Sequence, residues 1–221
     1  MKRIIERTED GSATLFVPEL NEHYHSVKGA LTESQHIFIQ MGLNHSQAES
    51  PRVLEIGFGT GLNAFLTLLE AEKKQRDACF TSIERYPLAE DIVHQLGYPE
   101  IIAPEASEKF YALHAAPWNQ PVRLSSWFTL HKIEGDFTHF DFQSHYDVIY
   151  FDAFAPEKQP EMWSQPLFDS LYRQTALGGI LTTYCAKGVV RRMLQTAGFT
   201  VERLPGPPGG KREILRASKP A

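Results

Sequence analysis

Three glycines stand at alternate positions, Gly57, Gly59 and Gly61, between the apolar run "VLEI" and the segment "LNAFLTLLEAEKK". A turn of this spacing lets the backbone approach a ligand with no Cβ in the way. Nucleotides, dinucleotides and flavins all use such turns, so the ligand has to be read from the charges nearby. Glu55 ends the strand just ahead of Gly57. A carboxylate there repels a pyrophosphate and favours a ligand that carries positive charge. Glu84 ends the following strand, "ACFTSIER", where an acidic residue takes the hydroxyls of a ribose. A ribose, a cation and no phosphate together describe S-adenosylmethionine, with its adenosine, sulfonium and ammonium. The cofactor turn then comprises Gly57, Gly59, Thr60 and Gly61. Asp136, in "IEGD" after a third strand, has two readings: a contact to the adenine amino group or a helix N-cap.

A second group of residues follows the apolar strand "YDVIYF". The segment "YFDAFAPEKQPEMW" places Asp152 at the strand's carboxyl tip, with Pro156 and Pro160 stiffening the loop behind it. Phe154 and Trp163 offer flat surfaces to a base, and Tyr24 is a candidate to close the site. Asp152 is read as the group that receives an acceptor amine; the competing reading is a cap on the next helix or turn. With an ordinary aspartate pKa of about 3.9 it would be a poor base. Its expected role is therefore to accept a hydrogen bond and aim the nitrogen lone pair, with positioning lowering most of the barrier. Lys187, Arg191, Arg192, Lys211 and Arg212 are candidate phosphate contacts, and solvated surface charge is the alternative for each. His23 and His25 share a strand face but have no third ligand at metal spacing, so no metal is expected.

These residues need a scaffold that brings strand tips together. Strands alternate with helices from Pro51 onward, which predicts a mostly parallel sheet with helices on both faces. Leu62, Phe65, Leu66 and Leu69 form one apolar helix face behind the glycine turn. Residues 88–117 read as helix interrupted around Gly97 to Pro104, and "QPLFDSLYRQTA" as a helix ending at Gly178-Gly179, ahead of the strand "ILTTYC". "GVVRRMLQTAG" is a helix closed by Gly198, and "FTVERL" and "REILRAS" form a final pair, one of them antiparallel. Ahead of all this, "IIERTEDGSATLFVPEL" reads as a hairpin about Asp10-Gly11. "GALTESQHIFIQMGL" reads as a helix with Thr32 and Gln35 at capping-box spacing and Gly42 near its end.

The bulk properties agree with one enzyme-sized domain. The chain has 221 residues, 42% hydrophobic and 22% charged, with a net charge of −5. That excludes disorder and a generally basic nucleic-acid binder, but not a local basic patch. Cys79 and Cys185 form no CxxC pair, and the N-terminus "MKRIIERTEDGS" has no apolar h-region. A cytoplasmic protein is expected, with neither secretion nor membrane spanning.

The motifs "GFGTGLN", "ERYPL", "FDAFAPEKQPEMW", "GGILTTY", "VRRMLQTAGF" and "GGKREIL", in this order, resemble the methyltransferase half of the bifunctional tRNA 5-methylaminomethyl-2-thiouridine biosynthesis proteins, MnmC. "YHSVKGALTESQHIFI" resembles that family's N-terminal segment, so the likeness runs from about Tyr24 to Arg216. The resemblance implies a class I, Rossmann-like S-adenosylmethionine-dependent methyltransferase. Its sheet would have seven mostly parallel strands. A small hairpin-and-helix extension over residues 1–50 would pack on a methyltransferase domain over 51–221. It also implies methyl transfer to the aminomethyl nitrogen of the tRNA wobble uridine, with S-adenosylhomocysteine as product and the anticodon region as partner. Asp152 would stand on the acceptor side and Glu84 on the ribose. The family's FAD-dependent oxidase half would follow where this sequence stops at Ala221, so FAD is not expected. The chain is expected as a monomer or weak dimer. Two other readings stay open: methylation of a small-molecule or protein amine, and a non-catalytic binding module.

Overall fold

A computed structural model describes every residue except Asp141 and Gln143. Strands β1 (Ile4–Arg7) and β2 (Ala13–Val17) form the expected hairpin, and β3 (Glu22–His23) extends it to a three-stranded antiparallel sheet. Helix α1 (Ala30–Ser34) continues into a π-helical stretch, Gln35–Leu43. The expected capping box of Thr32 and Gln35 does not form. Gly29 is the N-cap, and the N–H and hydroxyl of Thr32 donate to Asp10 Oδ2 at 2.9 and 2.8 Å. The hairpin turn thus caps the helix from outside. Against the cost of burial, bonds from Ser12, Thr32 and Thr8 hold the Asp10 carboxyl down to about 2.

The main sheet starts with β4 (Arg52–Ile56), whose glycine turn leads into α2 (Leu62–Lys74) and then β5 (Ala78–Glu84). Three short helices follow, α3 (Glu90–Leu96), α4 (Tyr98–Ile102) and α5 (Ser107–Ala115), broken where Gly97 and Pro104 stand. Next come β6 (Gln120–Ser125), β7 (Phe128–Glu134), β8 (Tyr146–Phe151), α6 (Gln165–Gln174) and β9 (Thr175–Thr183). Helix α7 (Gly188–Ala197), β10 (Thr200–Pro205) and β11 (Glu213–Ser218) close the fold.

This sheet has eight strands in the order β10-β11-β9-β8-β4-β5-β7-β6, one more than the seven expected. The additional strand is β6, an antiparallel edge partner of β7. Pro121 hides it in the sequence, yet an edge strand tolerates a residue with no N–H to donate. Strand β9 also starts earlier than expected, taking in Gly178 and Gly179, where its register with β8 shifts. Strands β7, β5, β4, β8 and β9 are mutually parallel, and β11 is the antiparallel member of the last pair. No helix among the described residues is long and apolar enough to cross a membrane.

The core lies on both faces of the sheet. Phe65, Phe80, Phe110 and Tyr150 pack on one face with Leu15 and Phe38 of the N-terminal segment. Phe151, Trp163, Phe168 and Leu194 pack on the other. The chain leaves β4 toward β5 and β7 on one side and returns to β8 and β9 on the other. The direction of strand order therefore reverses between β4 and β8, which is where an open α/β sheet binds ligands.

Candidate active site

Strand register sets the site. Ile56 pairs with Phe151 of β8 and with Ile83 of β5, so Gly57, Asp152 and Glu84 emerge level at three adjacent strand tips. They border a cavity of about 270 Å³. Of the residues expected to hold a cofactor, Glu55, Gly57, Gly59, Thr60, Glu84 and Asp136 line it, whereas Gly61 sits behind the turn. Tyr24, Asp152 and Phe154 line it too, with the Tyr24 ring against Gly59.

The turn is rigidly tied. Gly57 N–H donates to Ile83 O at 2.9 Å, and Gly59 N–H donates to Glu84 Oε2 at 2.9 Å. Glu84 Oε1 accepts from Tyr86 N–H at 2.6 Å, so this carboxylate shapes the turn as well as facing the cavity. Thr60 is clamped from two sides: its hydroxyl bonds His25 Nε2 at 3.0 Å, and its carbonyl accepts from His114 Nε2 at 3.1 Å. Burial pushes both imidazoles down to about 4, so they are neutral at pH 7 and pack as part of the wall. Gly61 has φ +73°, and a Cβ there would lie 2.6 Å from His114 Nε2, which leaves room for glycine only.

The carboxylates are short of positive partners. Glu55 is buried and accepts from Ser82 Oγ at 2.7 Å. Burial raises its carboxyl well above the ordinary value, and the neighbouring Asp152 adds to this. Asp152, partly buried at the β8 tip, accepts from Asn63 Nδ2 at 3.0 Å. Burial and the charge of Glu33 push it up to about 7, with Asn63 and Lys211 opposing. No backbone N–H among the described residues donates to Asp152, so the geometry offers no cap in place of a site role. Asn63 is a site residue that sequence reasoning passed over. It lay inside the quoted turn motif, but only the level of the two strand tips brings it to Asp152.

Other expected residues sit differently. Asp136 is the N-cap of the single turn Phe137–His139, accepting from Thr138 N–H at 2.9 Å, and it pairs with Arg85 at 2.9 Å while lining the cavity. Its two readings are compatible. Trp163 offers no free face: it is 5% exposed, packs on Phe151, and donates its Nε1–H to Phe154 O at 2.7 Å. It holds the loop that presents Phe154. Tyr24 stands edge-on to Phe154 with ring centroids 5.2 Å apart and accepts from Arg3 Nε at 3.0 Å. Among the basic candidates, Lys187 pairs with Glu157, and Lys211 pairs with the buried Glu33 at 2.8 Å. Arg192 and Arg212 are exposed, and Arg191 is half-buried. His23 bonds Glu6 and His25 bonds Thr60, and the described residues contain no cluster of metal-ligating side chains.

A parallel sheet reversing at β4 and β8, with a glycine turn at that point and the buried Glu55 beside Asp152, is a Rossmann-like arrangement. Residues 110–220 match the family model described as S-adenosyl-L-methionine-dependent methyltransferase, and the chain belongs to that family. It is 32% identical over 216 residues to the tRNA 5-methylaminomethyl-2-thiouridine biosynthesis bifunctional protein MnmC of Aeromonas salmonicida, across 85% of this chain and 31% of that protein. The protein of the same name from Pseudomonas savastanoi is 32% identical over 215 residues, across 90% of this chain and 32% of its own length. The chain thus spans about a third of the length of the curated relatives it matches. The crystal structure of MNMC2 from Aquifex aeolicus superposes with a TM-score of 0.80 at 26% identity, over 100% of this chain and 72% of that one.

Proposed function

We propose that the enzyme methylates the aminomethyl nitrogen at C5 of the tRNA wobble uridine, converting 5-aminomethyl-2-thiouridine to 5-methylaminomethyl-2-thiouridine. The observation that carries this reading is Asp152, a carboxylate level with the glycine turn and bonded to Asn63. The names of the relatives supply the wobble uridine.

The residues fit the cofactor. Glu55 and Asp152 are both raised by burial and by carboxylates around them, a state that a cationic ligand relieves. S-adenosylmethionine supplies the methyl group as an electrophilic carbon on a sulfonium. Gly57, where a Cβ would meet nothing, would admit it close to the backbone, Glu84 would take the ribose, Asp136 the adenine and Glu55 the positive groups, with the Gly59 turn packed under Tyr24. Asp152 accepts a hydrogen bond from the acceptor amine and turns the lone pair toward the methyl. With the cofactor bound, Asp152 or a water beside it would take the proton that the amine gives up on methylation. Burial makes the Asp152 carboxyl a better proton acceptor than an ordinary aspartate. Residues 1–50 serve as an extension that lends Tyr24 and His25 to the domain over 51–221. Phe154 and Tyr24 flank the entering base, and Arg191, Arg192 and Arg212 are the phosphate contacts.

Incubation with labelled S-adenosylmethionine and tRNA from cells lacking the modification, followed by nucleoside analysis, tests this. Label in methylaminomethyl uridine is expected. Label absent from tRNA but present on a small amine or a protein would overturn the substrate assignment.

A further inference from the structure

The loop Pro205–Arg212 between β10 and β11 carries "PGPPGGK", and its one lysine, Lys211, is paired rather than free. The loop closes on itself: Gly206 N–H donates to Arg212 O at 3.0 Å, and Gly210 N–H to Pro207 O at 3.0 Å. A Cβ at Gly206 would fall 1.7 Å from Lys211 O, so glycine there is what fixes the lysine backbone. Lys211 Nζ then lies 2.8 Å from Glu33 Oε2 and 4.1 Å from the centre of the Tyr184 ring. Glu33 is 5% exposed, and its other oxygen accepts from Ser26 N–H at 3.1 Å. The Tyr184 hydroxyl donates to Ala153 O at 2.8 Å, the carbonyl next to Asp152. One connected set of contacts therefore runs from the loop, through helix α1 and the end of β9, to the peptide that carries Asp152.

We propose that Lys211 and Glu33 are positioning residues for Asp152. The pair holds Tyr184 in place, and Tyr184 fixes the Ala153 carbonyl on the peptide that carries the carboxylate. This inference rests on the reading of Asp152 given under Proposed function. Asp152 is faced by Asn63 of α2, Glu55 of β4, Glu33 of α1, Lys211 of the loop and Tyr184 beyond β9. Of these, Glu33 raises the Asp152 carboxyl and Lys211 lowers it. Any charge so close shifts the titration of Asp152, whereas a pair present only to hold the fold together would leave methyl transfer insensitive to loss of the Tyr184 hydroxyl, which bonds Ala153 O.

The test is a carbon-13 carboxyl NMR titration of Asp152 in the cofactor-free protein, which needs no substrate. Lys211→Met should move its midpoint up and Glu33→Gln should move it down, each by about half a unit or more. Lys211→Arg should keep the wild-type value, and the double variant, which leaves no unpaired buried charge, should fall between the two single ones. Tyr184→Phe keeps the ring but frees the Ala153 carbonyl. Its single-turnover methyl transfer should slow on the order of tenfold, with cofactor Kd within about twofold. Midpoints that stay put, or that move the same way in both single variants, would overturn the inference even if tRNA is methylated. Opposite shifts together with slowed transfer in Tyr184→Phe would support it even if the substrate proves to be another amine, and a Tyr184→Phe rate within about twofold of wild type would overturn it.

Discussion

Replacing Asp152 by Asn should damage catalysis while strengthening the fold. The carboxyl is pushed from an ordinary 3.8 up to about 7 in the folded protein. At about 1.36 kcal/mol per unit, a shift of roughly three units destabilises the charged folded state by at most about 4 kcal/mol. Water in the open cavity screens part of this, and the new amide places a donor against Asn63 Nδ2. About 2 kcal/mol should remain, or about 4–8 °C in Tm for a domain of this size. The pH dependence has a definite sign. Below about pH 4 both states of the wild type hold the proton, and the two proteins differ only in the Asn63 contact. Between about pH 4 and 7 the unfolded chain releases it first, so wild-type stability falls as pH rises and the gap in favour of Asp152→Asn opens. Above about pH 7 the full gap is present. Over the same range the single-turnover rate of the variant should be lower on the order of 10²-fold, the loss of a positioned proton acceptor. Thermal melts from pH 4 to 9, alongside single-turnover methyl transfer at pH 8, read both quantities. A rate within about threefold of wild type, or a Tm gap that does not widen with pH, would refute the reasoning.

Gly61→Val should abolish S-adenosylmethionine binding in calorimetric titration, because φ is +73° and the new side chain meets His114. Glu84→Gln sets an amide against the Gly59 and Tyr86 N–H groups, and cofactor Kd should rise on the order of tenfold with little change in the rate at saturation. Removing Arg192 and Arg212 together should raise KM for tRNA and reduce its log–log salt slope by about two units, while removing Lys187, already paired with Glu157, should leave the slope nearly unchanged. Lys132 on β7 donates to His114 O at 2.6 Å and lies over the Phe58 and Trp118 rings, and burial lowers it to about 8; the Tm of wild type relative to Lys132→Met should rise between about pH 8 and 10.4, as the folded state sheds the charge first.

The parallel strands and α2 were legible because their signals are local: apolar runs, a helical face and a glycine turn within one stretch of about 20 residues. The strand-end positions of Glu55, Glu84 and Asp152 were legible for the same reason, since strand tips can be read from where apolar runs stop. What escaped depends on partners far apart in the chain. Thr32 looked like the start of a capping box, but the acceptor that caps α1 is Asp10, on a hairpin 22 residues earlier. Lys211 looked like a phosphate contact, but Glu33 takes it from 178 residues away. Pro121 concealed β6, because a residue that breaks an interior strand is harmless at an edge. The raised carboxyl of Asp152 was invisible for a different reason. It comes from burial and from charges on other elements, so an aspartate at a strand tip reads as ordinary until the sheet is assembled.

The wall that Tyr24 and His25 form also bears on the order in which the protein is made. Tyr24 leaves the ribosome before its ring partner Phe154, which is synthesised 130 residues later, and His25 waits for Thr60. Contacts of such long sequence separation form late in folding, since the intervening chain must first be ordered. The N-terminal sheet is therefore expected to dock onto a main sheet that is already built, and the cofactor crevice to be completed in that step. During refolding, binding of S-adenosylhomocysteine should then lag behind the recovery of secondary structure, and the lag should time the docking of the first 30 residues.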